Sequence, residues 1–156
     1  MLRNTLLLIA IVLLLAQFVQ PSRATPKTDP KADLFVLRPA PADMQELVVG
    51  ACYDCHSYRT EHPWYAYITP VNFLLQNNIE EGREALNFSR WDLYWDSEHA
   101  SKCREEIAEG EMPPREYSFM HDHARLTAVE RERMIAWFDA DPSTAAHRAH
   151  AEGDDH

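Results

Sequence analysis

Cys52-Tyr53-Asp54-Cys55-His56 places two thiols with two residues between them and an imidazole immediately after. A single turn of chain can present both sulfurs along one edge of a flat ring. This is the pattern that attaches a c-type haem: each sulfur bonds one vinyl group of the porphyrin, and the adjacent histidine supplies the proximal nitrogen to iron. Two other uses of paired cysteines are weaker. A structural zinc site takes about four ligands, and the remaining cysteine, Cys103, stands alone. A thiol oxidoreductase would need a thioredoxin-like βαβ setting, and no strand alternation is present. The expectation is one covalent haem c, held by Cys52 and Cys55 and ligated by His56.

A second ligand would complete the iron. Met112 precedes Pro113 and Pro114, which hold the chain stiff and non-helical, so the thioether is fixed in direction. Pairing of His with Met is a standard axial set that raises the reduction potential. His121 is the alternative distal ligand. His121 and His123 in alternation can also be read as solvated loop histidines. Trp64, Tyr65 and Tyr67 fall in an irregular aromatic stretch that could lie against the haem edge, or could be ordinary packing.

Helices must position these groups. Asp43 with Glu46 reads as a capping pair opening a helix that runs directly into Cys52. Thr69 as cap and Pro70 in the first position open a second helix, with Val71, Leu74, Leu75 and Ile79 at helical spacing and Gly82 at its end. Phe88, Trp91, Tyr94 and Trp95 follow, with Ser89 as a local cap. A third helix spans about 97–109, carries Ala100, Cys103 and Ile107 inward and stops at Gly110. Cys103 reads as a small buried apolar residue, with dimerisation as the other use of an unpaired exported thiol. Residues 117–125 read as a loop. Thr127 and Glu130 form a capping box for a last helix carrying Met134, Ile135, Trp137 and Phe138, ended by Asp141-Pro142. The fold class expected is all-α.

The flanks set the compartment. Residues 1–24 combine Arg3, an apolar run from Thr5 to Val19, and Ser22-Arg23-Ala24. They read first as a cleaved signal peptide and second as a retained anchor. Either reading exports the rest, to a periplasm, soluble or tethered to the inner membrane. Residues 25–42, with four prolines, read as an extended linker from which Leu34–Leu37 dock. The domain proper is 43–142, and 143–156 is a polar, disordered tail holding His147, His150 and His156. The formal charge of the 156-residue chain is −10. Loss of Arg3 and Arg23 would make it more negative. This disfavours nucleic acid and anionic lipid and favours a basic protein partner; a membrane enters only if residues 1–24 are kept.

With the motifs placed, the chain resembles the haem-binding domain family of exported bacterial proteins, a single-haem module similar to cytochrome c. The resemblance rests on CYDCHS (52–57), HPWYAYITPV (62–71), EGREALNFSRW (81–91), MPPREY (112–117), His121 and ARLTAVERERMIAWF (124–138), in that order. It spans roughly Asp43 to Phe138. It implies a small all-α fold wrapped around one covalent haem, with Cys52 and Cys55 as attachment points, His56 proximal and Met112 distal. One departure is that Gln76-Asn77-Asn78 contains no histidine where many members carry one. The functional expectation is a periplasmic monohaem electron carrier and not an enzyme. The alternatives are a haem-based sensor or accessory protein and, third, a small haem peroxidase.

Overall fold

The computed structural model describes residues 1–94 and 97–140. Trp95, the Asp141-Pro142 stop and the tail histidines lie outside the described residues. All secondary structure among the described residues is helical, as the periodicity requires.

Helix α1 (Leu2–Ala16) is apolar and exposed along almost its whole length. No helix among the described residues is long and apolar enough to cross a membrane. The stretch expected to be an extended linker is in part folded. A 3₁₀ turn at Pro30–Ala32 is capped by Asp29, and the short helix α2 (Leu34–Leu37) by Asp33. Leu34 is fully buried, and Phe35 stacks on Tyr53 at 5.6 Å. Val36 and Leu37 face solvent. Burying Leu34 and Phe35 offsets the entropy of ordering a proline-rich chain.

Helix α3 (Ala42–Val48) starts two residues earlier than an Asp43 cap implies, with Pro41 at its N-cap and no side-chain cap. Asp43 sits in its first turn and pairs with Arg133 of the last helix instead of capping. The chain stays coiled beyond Val48 through a wide π-type turn at Val49–Tyr53 and into α4 (Asp54–His56). Ser57, fully buried, ends this run: its hydroxyl donates to the Tyr53 carbonyl at 2.7 Å and accepts from Arg59 N–H.

Helix α5 (Val71–Ala85) differs from expectation at both ends. Pro70 occupies the N-cap, so Thr69 does not cap. Gly82 does not stop the helix, which continues to Ala85. A Cβ on Gly82 would lie 2.9 Å from the Cys55 carbonyl oxygen. The glycine is there so that α5 can press against α4, and that role outranks its poor helix propensity. In the 3₁₀ segment Phe88–Leu93, Asn87 is the cap and Ser89 is not; the Ser89 hydroxyl accepts from Tyr58 N–H at 3.0 Å.

Helix α6 (Ser97–Glu109) ends where Gly110 takes φ +80°. Residues 117–120 of the expected loop belong to helix α7 (Arg115–Met120), which Pro114 introduces; a 3₁₀ turn at Asp122–Ala124 follows. Proline is well suited to opening a helix, so the signal was present in Pro113-Pro114. Helix α8 (Ala128–Asp139) carries the expected Thr127–Glu130 capping box. It packs along α6, and Arg131 donates to the carbonyls of Ile107 and Met112. The core gathers Leu34, Met44, Val48, Tyr53, Phe88, Trp91, Ala100, Ile107, Met134 and Phe138.

Candidate functional site

Cys52, Cys55 and His56 lie on the continuous coil formed by the π-type turn and α4. The residues between the cysteines fix that coil from both sides. Tyr53 is buried and joins a ring stack, 5.6 Å from Phe35 and 5.4 Å from Phe88, with Trp91 next at 5.8 Å from Phe88. Asp54 turns the other way, accepting from Tyr117 hydroxyl at 2.6 Å and from Glu61 N–H at 2.8 Å. The variable positions of a CxxCH pattern carried no such signal in the sequence; only the partners identify their roles.

Both motif sulfurs are unpaired. Burial, with Cys55 nearby, pushes the Cys52 thiol up to about 12, and burial with the Asp54 charge pushes Cys55 up to about 11. These thiols are held protonated, the opposite of the lowered value a disulfide-exchange nucleophile requires. Cys103 packs against the core, and burial pushes its thiol up as well. Among the described residues no group of three or more His, Cys, Asp and Glu is arranged to hold a metal ion by itself.

His56 is oriented by the backbone. Its Nδ1 lies 3.2 Å from the Leu86 carbonyl oxygen, which can only accept. Nδ1 therefore carries the proton and Nε2 keeps the lone pair, the tautomer that a ligating imidazole needs. Burial holds His56 below its ordinary pKa, so the ring is neutral. Arg83 steadies the same region, donating to the Ser57 carbonyl at 2.8 Å and to Thr60 Oγ1 at 2.9 Å.

A cleft opens beside Cys55. Its walls include Pro63, Leu75 and Ile79 on the apolar side and Asp54, Tyr65, Tyr117 and His121 on the polar side. His121 is fixed as His56 is: Nδ1 is 3.0 Å from the Tyr117 carbonyl oxygen, and Nε2 accepts from Tyr65 hydroxyl at 3.1 Å. Tyr117 stacks on the His121 ring at 4.1 Å. His123 reaches the same Tyr117 hydroxyl at 3.4 Å. His62, between the cleft-lining Glu61 and Pro63, has a buried Nε2 with no hydrogen-bond partner.

The other residues singled out by sequence are placed as follows. Tyr65 lines the cleft, whereas Trp64 and Tyr67 are 73% and 55% exposed and do not. Met112 is half-buried and does not line it; its N–H donates to the Glu106 carbonyl at 3.1 Å and its own carbonyl accepts from Arg131. Gly82 and Tyr117 are the positions at this site whose contacts the sequence reading missed. A glycine amid good helix formers was the available signal for the first.

Two thiols on one coil, an imidazole with its lone pair preset, an apolar wall and an orphaned histidine nitrogen fit a haem. The model of the haem-binding domain family matches residues 11–140. The chain belongs to the haem-binding domain family. No curated protein and no solved structure matches it. For a haem-binding domain, the all-α fold and the position of the Cys52–His56 coil against α5 form one unit: Gly82 brings the helix close, and Leu86, just past its end, orients the histidine.

Proposed function

We propose that this haem-binding domain is an exported monohaem c-type cytochrome that carries single electrons. The observation that carries the reading is the His56 Nδ1 contact to Leu86, within about one helical turn of two unpaired, protonated thiols. Each S–H would add across one porphyrin vinyl group, sulfur to one carbon and hydrogen to the other. When bound, the haem supplies the one-electron couple of its iron.

The chain's own residues then do four things. Cys52 and Cys55 would hold the ring through their sulfurs. His56 offers Nε2 to the metal and is kept from rotating by the Leu86 carbonyl. Leu75, Ile79 and Pro63 exclude water on the apolar side. Met112, which does not line the cleft, would have to turn its thioether toward it to serve as the second iron ligand; its backbone is pinned by Glu106 and Arg131. His121 is second, because its Nε2 would first have to give up the Tyr65 hydroxyl. The acidic chain favours a basic redox partner, and no bond-making step is assigned to it.

A second reading is favoured by one observation. The Tyr65–His121 and Tyr117–Asp54 pairs line the cleft, and such groups could serve a ligand-binding or sensing haem. The visible spectrum of the purified ferric protein separates the two. A low-spin spectrum with the weak long-wavelength sulfur-to-iron band, lost in Met112→Ala and kept in His121→Ala, is expected for the carrier. High-spin bands in the unaltered protein would favour the sensor.

A further inference from the structure

Cleavage after Ala24 would discard residues 17–23, yet these are the residues that fasten α1 to the domain. The Gln17 amide pairs both ways with Thr69, donating to its carbonyl at 3.1 Å and accepting from its N–H at 3.0 Å. The Thr69 hydroxyl donates to the Val19 carbonyl at 3.2 Å. Gln20 donates to the Tyr67 carbonyl at 3.3 Å and accepts from the Asn72 amide at 3.0 Å. Asn72 is buried at the start of α5. Arg23 donates to the Ala66 carbonyl and lies 4.4 Å over the Tyr67 ring. A passing leader peptide has no need of side-chain bonds this specific to 66–72. The family match also begins at residue 11, so residues 11–16 of α1 and the whole of 17–23 belong to the matched unit.

The surroundings identify the partner. The apolar residues of α1 are exposed, and turning continues past it, Phe18 and Val19 donating to Leu15 and Ala16. Helix α1, fifteen residues and about 22 Å long, is shorter than the roughly 30 Å of a bilayer's hydrocarbon, so it would lie embedded in the lipid without reaching across it. Beside the attachment point, Trp64, Tyr67, Ile68, Phe73 and Leu74 are also exposed. Helical spacing turns Phe73 and Leu74 away from the Leu75, Ile79 and Gly82 stripe that faces the cysteine motif. Aromatic and aliphatic side chains grouped at the foot of an apolar helix suit the water–lipid boundary.

We propose that α1 is retained as a lipid-embedded anchor and that residues 17–23 strap it to 64–74, seating that aromatic edge on the bilayer. The partner is a lipid bilayer. The proposal rests on export and not on haem attachment.

The test uses the full chain, expressed with its own N-terminus alongside haem-maturation machinery. The expected product stays in the membrane pellet through salt and alkaline washes, leaves it in detergent, and has an intact mass that includes residues 1–24. A soluble product beginning near Thr25 overturns retention, whether or not it carries haem. In the Gln17→Ala/Gln20→Ala variant, amides of 66–72 should exchange about tenfold faster with the protein still in the membrane; unchanged exchange overturns the strap. A spin label on Trp64→Cys in nanodiscs should be more accessible to lipid-soluble oxygen than to a water-soluble nickel chelate, and the reverse order overturns the seating.

Discussion

At the scale of the residue, the site depends on small fixed contacts. Gly82→Ala should destabilise the fold by about 1–3 kcal/mol despite alanine's better helix propensity, because the new methyl meets backbone at Cys55 and not a flexible side chain. Thermal unfolding checks this. His56 gives a pH test on the haem-free chain. Its pKa is lowered by burial, so the folded state prefers the neutral ring. The unfolded chain binds that proton more readily. Stability from this group is therefore present above the ordinary value of 6.5 and is lost as pH falls below it. The two thiols act at the other end. Their raised values make the folded state keep protons that the unfolded state releases, so stability should fall as pH rises above about 9. Denaturant midpoints across pH should show both flanks, and His56→Gln should remove the acid part due to His56. The residue types and spacing of Cys52, Cys55 and His56 were legible at once because the chemistry needs them adjacent. The Leu86 carbonyl and the Tyr65–His121 pair were not, because they meet across 30 and 56 positions of chain.

At the scale of the element, the strongest local signals gave the right helices. Thr127 and Glu130 cap α8 as their spacing demands, and Thr127→Ala should cost about 1 kcal/mol with the haem spectrum unchanged. Where tertiary contact competes, local rules gave way. Asp43 leaves its expected capping role to pair with Arg133, and α5 runs through Gly82 because close packing on α4 demands a residue without a side chain there. The proline-rich stretch 25–42 reads as a linker from which Leu34–Leu37 dock, and Leu34 is wholly buried against the core. Leu34→Ala should therefore cost about 2–5 kcal/mol, as a core residue would, and not the near-zero expected of a tether. A denaturation curve distinguishes these outcomes.

At the scale of the whole molecule, an acidic domain is built round one aromatic stack, with the cysteine coil on its edge and an apolar helix strapped beside it. Net negative charge should steer a basic partner, so the second-order rate of electron transfer to such a partner should fall as salt rises, while a neutral small-molecule oxidant should show little dependence. Overall helicity and helix order were legible because apolar periodicity is strong. The meeting of 17–23 with 66–72 was not, since polar side chains paired over some fifty residues leave no periodic trace.

The most direct measurement of the central claim is the mass of the denatured, purified protein, produced with haem-maturation machinery and extracted with acidified organic solvent. The account predicts a single added haem that remains with the polypeptide, and none retained in the Cys52→Ser/Cys55→Ser variant. A colourless protein, or pigment that passes entirely into the solvent, would contradict it.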